Sequence, residues 1–267
     1  MTLSFTPADM RRTILRMAYT GQAVHVGCSF SIVEIVHALY SEFIRFNPAN
    51  VNDPTRDILA LSKGHGVMAC YAALYGMNAI HEEDIENYFK DGSALKGLSS
   101  VHCPGIEVSG GSLGHGLTVA TGLALAAKWR KSDRRVFCIV GDGELNEGSI
   151  WESLMFAAHH KLANLTVIVD ANNFQAMGRP SEILDLEPLS DKLRAFRFST
   201  KEVDGHNQLA LQSAMTELLK ENVECPKAVI ARTIKGKGVT FMEDDNSWHY
   251  SRLNAETYER ALAELHK

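Results

Sequence analysis

Residues 136–178 read VFCIVGDGELNEGSIWESLMFAAHHKLANLTVIVDANNFQAMG, and this stretch decides the fold. Val136–Val140 is a short apolar, β-branched run that stops at Gly141-Asp142-Gly143, and Leu165–Val169 is a second that stops at Asp170-Ala171-Asn172-Asn173. Such runs read as buried parallel strands. Between them, Glu147–His160 carries Ile150, Trp151, Leu154, Met155 and Ala158 at helical spacing, which predicts one strand–helix–strand unit with a right-handed crossover. Both strands then end on one edge. The expected fold class is α/β, a doubly wound, mainly parallel sheet with helices on both faces, in one domain over residues 1–267.

In an open α/β sheet, ligands bind just outside the carboxyl ends of the strands, and here those ends present Asp142, Asn172 and two glycines. The glycines let the backbone approach a diphosphate, and the following helix turns its partly positive start towards the anion. One carboxylate, one carboxamide oxygen and one free carbonyl, completed by diphosphate oxygens and water, suit magnesium. A Gly-flanked Asp alone is often only a helix cap. The second half of the pattern, thirty positions on (172 − 142), favours a cofactor.

This pairing of strand ends resembles the thiamin-diphosphate motif, and GDGELNEGSIWE specifically resembles transketolase. The segments VHVGCSFSIVEIVHALY, SKGHG, PGIEVSGGSLGHG and FMEDDNSWHY are similar to transketolase, in two cases to its split form. The resemblance implies a thiamin-diphosphate-binding fold and a two-carbon ketol transfer from a ketose, as phosphate, to an aldose. It implies Asp142, the Asn172 side chain and the Phe174 carbonyl as ligands of magnesium, or of calcium or manganese in its place. Gly141, Gly143 and Glu144 would form the cofactor-binding turn, with Leu113 and Gly114 lining the cofactor. His25, His65 and His249 would orient the diphosphate and reacting oxygens or shuttle protons near neutral pH. Glu147 and Glu152 fall at the family's interface glutamates.

The family's activating glutamate lies in a pyrimidine-binding domain that this chain lacks. The implied partner is a separate C-terminal subunit carrying that domain, in a heterotetramer. Two departures stand out. The serine and first glycine of an SGHxG segment are missing before His25, and a GHP segment is replaced by Lys96-Gly97-Leu98-Ser99-Ser100. Leu98 cannot hydrogen-bond a sugar; either His102 substitutes from nearby or the donor differs from ordinary ketose phosphates, and the sequence does not decide. Two other readings stay open: a non-catalytic cofactor-holding subunit, and the decarboxylating subunit of a 2-oxoacid complex.

A formal charge of −5 and ordinary hydrophobic content exclude an extended nucleic-acid or membrane surface. Five cysteines without a CxxC pair favour reduced thiols over a disulfide framework. No apolar h-region is read in Met1–Met17, so the expected compartment is the cytoplasm. The glycines at 110–116 lack the preceding strand of a dinucleotide site, and Lys235-Gly236-Lys237-Gly238 lacks Walker spacing. Elsewhere the reading gives a helix from Thr6 to Thr20, a loop over Gly21–Phe30 and a capping box at Ser31–Glu34. Strands are expected at Ile58–Leu61, Ser199–Val203 and Ala228–Thr233, with Gly205 turning the chain and Asn207 capping a helix.

Overall fold

The computed structural model describes residues 5–266. Five strands, β1 Ile58–Leu61, β2 Val136–Gly141, β3 Leu165–Ala171, β4 Ser199–Asp204 and β5 Lys227–Arg232, form one sheet in the order β1-β2-β3-β5-β4. Every neighbouring pair is parallel. β2 and β3 are buried at every position, as continuous Val/Ile runs must be when helices cover both faces. β4, with the more polar sequence STKEVD, takes the edge.

The helices are α1 Pro7–Thr20, α2 Val26–Phe30, α3 Val33–Ala38, α4 Val67–Gly76, α5 Glu82–Glu86, α6 His115–Trp129, α7 Gly148–His159, α8 Pro180–Ile183, α9 Leu189–Ala195, α10 Gln208–Lys220 and α11 Ala255–Leu265. Leu59, Leu61, Phe137, Ile139, Ile168 and Val229 face α1 to α4 and α10. The alternating residues, among them Ala60, Cys138, Val140, Val167, Val169 and Ile230, face α6, α7 and α9. The expected double winding is thus present.

Crossover direction explains where the crevices open. β1 to β2 to β3 advances across the sheet with α6 and α7 on one face, whereas β4 to β5 steps back and puts α10 on the other, as right-handed crossovers require. α4 directly follows β1 on the α1 face, while α7 follows β2 on the other; α9 follows β3 on that second face, while the chain after β5 returns to the α1 face. The chain thus leaves β1 and β2, and again β3 and β5, towards opposite faces. A ligand-sized gap opens at the β3/β5 carboxyl edge, lined by Asp142, Ala171, Asn173, Arg232 and Thr233.

Several local expectations change. Ser31–Glu34 is not a capping box, because both side chains have stronger distant partners: Ser31 Oγ donates to Asp170 at 2.8 Å, and Glu34 is clamped by Arg11 at 2.6 Å and His206 at 2.9 Å. Burial works against the Glu34 charge, but those hydrogen bonds hold its pKa down at about 2. Half of the expected 21–30 loop is the short helix α2, entered through His25 at φ 70°. α7 starts at Gly148 after a 3-10 turn over Gly143–Asn146. Thr6 does cap α1, and Asn207 caps α10. Gly205 is required by close approach, since a Cβ there would stand 2.5 Å from Thr233 Cγ2. No described helix is long and apolar enough to cross a membrane. The reading of the N-terminus rests partly on residues 1–4, outside the described residues.

Gly236 turns the chain after β5 at φ 78°, and a Cβ there would lie 2.1 Å from the Met242 carbonyl oxygen. Gly236→Ala is expected to lower stability by about 2 kcal/mol or more, read as a fall in urea midpoint. An unchanged midpoint would contradict this packing.

Candidate active site

The floor of the crevice is a buried ion pair. Asp170, near the end of β3, is fully enclosed and accepts from Lys63 Nζ, Thr233 Oγ1 at 2.5 Å, Ser31 Oγ at 2.8 Å and Asn172 Nδ2 at 2.8 Å. Lys63, two residues past β1, also donates to the Cys28 carbonyl at 3.0 Å. Burial disfavours both charges, yet each stabilises the other, so Asp170 stays below and Lys63 above its ordinary pKa. This pair ties the ends of β1, β3 and β5 to α2. Sequence reading passed over both residues, although Lys63 stands directly before the Gly64-His65-Gly66 turn.

Above this floor stand the expected metal ligands. Asp142 is 8% exposed, and its two oxygens accept from Gly143 N at 2.8 Å and Asn173 N at 2.6 Å. Burial, reinforced by the neighbouring Asp170 charge, pushes the carboxyl up to about 7. Asn172 gives its amide to Asp170 and keeps its oxygen on Phe174 N at 3.1 Å, so the carboxamide is oriented from below. Gly143 is covered by Gln175, where a Cβ would meet the Gln175 Cβ at 2.5 Å. The Gln175 Nε2 is buried without a hydrogen-bond partner among the described residues. A carboxylate short of positive charge, oxygen donors on adjacent strand ends and an orphaned amide donor fit a magnesium ion with a diphosphate.

Three histidines form the opposite wall. Their ring centroids lie 5.5 Å (His25 to His65), 5.6 Å (His25 to His249) and 5.5 Å (His65 to His249) apart. Lys235, 1% exposed, contacts His249 Nδ1 at 2.9 Å and Asn246 Oδ1 at 3.0 Å. Burial, then the lysine charges, lowers His25 to about 4 and His249 to about 3, and His65 lies well below its usual value. In the unliganded chain all three rings are thus held below the ordinary histidine value. At pH 7 the rings are neutral; Asp170 holds the Lys63 charge, whereas burial lowers Lys235 from its ordinary value.

An anion placed among these groups would favour the protonated rings. Pyrophosphate with magnesium is expected to raise the His249 pKa by about one unit or more, followed by ring NMR shifts. A titration that does not move would separate His249 from the anion. The linkage sign is also fixed. Because the folded pKa values of His25 and His249 are depressed, the unfolded chain binds more protons between about pH 4 and 6.5. Their contribution to stability rises with pH across that window.

Glu144 holds the loops together. It is 2% exposed, and its carboxylate accepts from Ser62 Oγ at 2.5 Å, Gly114 N at 2.8 Å and Gly141 N at 3.2 Å. It positions the turns expected to touch the cofactor, and its own oxygens are spent on protein donors. Gly114 at φ 83° leaves no room for a side chain, because a Cβ would stand 2.2 Å from Ser149 Oγ. Leu113, half-buried, precedes it.

His102 is exposed and does not line the cleft beside His25, so it does not stand in for Leu98, which does. Glu147 and Glu152 are exposed at the start of α7. Beside them is a groove of about 320 Å3 between α6 and α7, lined by Thr121, Leu125 and Phe156.

A parallel sheet whose switch-point edge carries a GDG turn, an oriented Asn and two buried lysines defines a diphosphate-binding α/β domain. The chain belongs to the transketolase family: the family described as "Transketolase, thiamine diphosphate binding domain" matches residues 12–265. It is 36% identical over 264 residues to one of the subunits of the apulose-4-phosphate transketolase of Phocaeicola vulgatus, covering 99% of this chain and 94% of that one. It is 40% identical over 248 residues to the 6-deoxy-6-sulfo-D-fructose transketolase subunit SqwG of a Clostridium species, covering 91% and 88%. Among solved structures, transketolase from Leishmania mexicana superposes with a TM-score of 0.89 at 27% identity. That match covers 98% of this chain but 41% of the longer enzyme.

Proposed function

We propose that this chain is the diphosphate- and magnesium-binding subunit of a two-component transketolase, which moves a two-carbon ketol unit from a ketose to an aldose. The carrying observation is the buried Asp142 carboxylate, raised to about 7, beside the oriented Asn172 and opposite Lys235 and the histidines. Asp142, Asn172 and the Phe174 carbonyl would hold the magnesium. Gly143 N, His65, His249 and Lys235 would receive the diphosphate, whose charge the two lysines offset. Thiamin diphosphate, when bound, supplies the carbanion chemistry.

This chain's own part is to place and to protect. His25, neutral and set at the cleft mouth, is positioned to hold a substrate oxygen or pass a proton at its ring nitrogen. Lys63 and Asp170 keep the floor dry and fixed. The curated relatives named above are subunits of transketolases, which supports a separate partner. We assign that partner the pyrimidine-binding domain and the activating glutamate. We assign the apolar groove between α6 and α7, which Glu152 lines, to the assembly face of a heterotetramer.

The test is calorimetric titration of thiamin diphosphate with magnesium into this chain, with and without the partner subunit. Tight binding that needs magnesium, and turnover only with the partner, is expected. Binding without turnover in the complete mixture would leave a cofactor-holding role alone. No binding in either mixture would remove the assignment.

A further inference from the structure

Next to His25 lies a cleft of about 380 Å3 whose walls are largely apolar. Leu98, Phe89, Tyr88, Val24 and Tyr250 line it, with Lys96 as the basic side chain among the lining residues. Leu98 is 39% exposed, Phe89 52% and Tyr250 69%, so apolar groups are held in the open beside a reactive ring. The Tyr250 and His25 rings are 5.6 Å apart, which makes the cleft continuous with the histidine wall.

The backbone is bent to build this cleft. His25 stands at φ 70° and Phe89 at φ 60°, a region that side-chain-bearing residues occupy at a cost of about 1–3 kcal/mol. Phe89 is fixed there by donating its N–H to the Leu95 carbonyl at 3.0 Å, and Gly97 leaves room for its ring, since a Cβ there would be 2.6 Å from Phe89 Cε2. Gly111, at φ 138°, does the same for Leu98, whose Cδ1 would lie 2.9 Å from an added Cβ. Two glycines and two strained residues thus hold Phe89 and Leu98 at the surface.

We propose that this cleft is the subsite for the carbon chain of the aldehyde acceptor, and that it selects a deoxygenated chain over a polyhydroxylated one. The inference rests on the transketolase reading above. A hydroxyl seated against Leu98 gives up water without gaining a partner, whereas a methylene there sheds apolar surface. Differences of one such group are worth roughly 10–200-fold in selectivity.

The experiment uses the assembled two-subunit enzyme with hydroxypyruvate as donor and two four-carbon acceptors, butanal and erythrose. In either reaction the donor loses carbon dioxide. The bond from its keto carbon to the carboxylate breaks, that carbon alone bonds to the aldehyde carbon and carries the hydroxymethyl group with it, and the aldehyde oxygen takes a proton to become a hydroxyl. Wild type is expected to favour butanal in kcat/KM by about tenfold or more, and Leu98→Ser to reduce that preference by about tenfold. A preference for erythrose, or a ratio that Leu98→Ser leaves unchanged, would overturn the subsite. No product from either acceptor would instead overturn the transketolase reading. Saturation-transfer NMR with butanol and erythritol then decides the cleft alone: transfer to butanol, lost in Leu98→Trp, supports it, and equal transfer to both overturns it.

Discussion

Asp142→Ala is expected to lower affinity for thiamin diphosphate with magnesium by at least about 100-fold and to bring ketol transfer to background. The reason is electrostatic as well as geometric. Without a cation, burial and the Asp170 charge hold the Asp142 carboxyl at about 7, so roughly half of it is protonated at neutral pH. A divalent ion reverses this by supplying the missing charge. The same shift has a sign in stability. A folded pKa raised from 3.8 to about 7 means the contribution is complete below about pH 4 and is lost as pH rises to about 7, by at most about 4 kcal/mol. Urea unfolding at pH 5 and pH 8 should show wild type losing more stability than the variant, with magnesium and cofactor restoring it. Equal slopes in both proteins would mean that Asp142 is not strained by its surroundings.

Lys63→Met should be the most damaging substitution for the fold, at about 3–5 kcal/mol. It leaves Asp170 charged, wholly buried and facing three neutral donors, Ser31, Thr233 and Asn172. Adding Asp170→Asn should recover at least half of the loss, because the charge that made the first change costly is gone. If the single variant unfolds at the wild-type urea concentration, the pair is not the anchor described. If the double variant is no better than the single, the damage comes from lost packing of the lysine stem. Asn172 depends on Asp170 for its orientation, so the single variant should also weaken magnesium binding.

Much of this site was legible from sequence because its parts are contiguous. The runs that form β2 and β3 each end in a residue proposed to hold the cation, Asp142 and Asn172, so strand recognition and the reading of the candidate site were one step. The floor was not legible. Lys63 and Asp170 are 107 positions apart, and nothing near either residue announces the other. Ser31 and Glu34 misled for the same reason, since their spacing imitates a cap while their partners come from β3, α1 and the turn after β4. The protonation of the histidines depends on burial beside two lysines, which residue order does not encode. Leu98 was legible as a departure, but the cleft around it required the bend at Phe89.

The histidine wall joins residues far apart along the chain, with His25 just before α2 and Lys235 and His249 beyond β5. During synthesis, then, a growing polypeptide holds the GDG turn and two of the three histidines long before it holds Lys235 and His249, which complete the wall. Until residue 249 has emerged, the groups proposed to receive the diphosphate are incomplete, so the full set comes together only at that stage of synthesis.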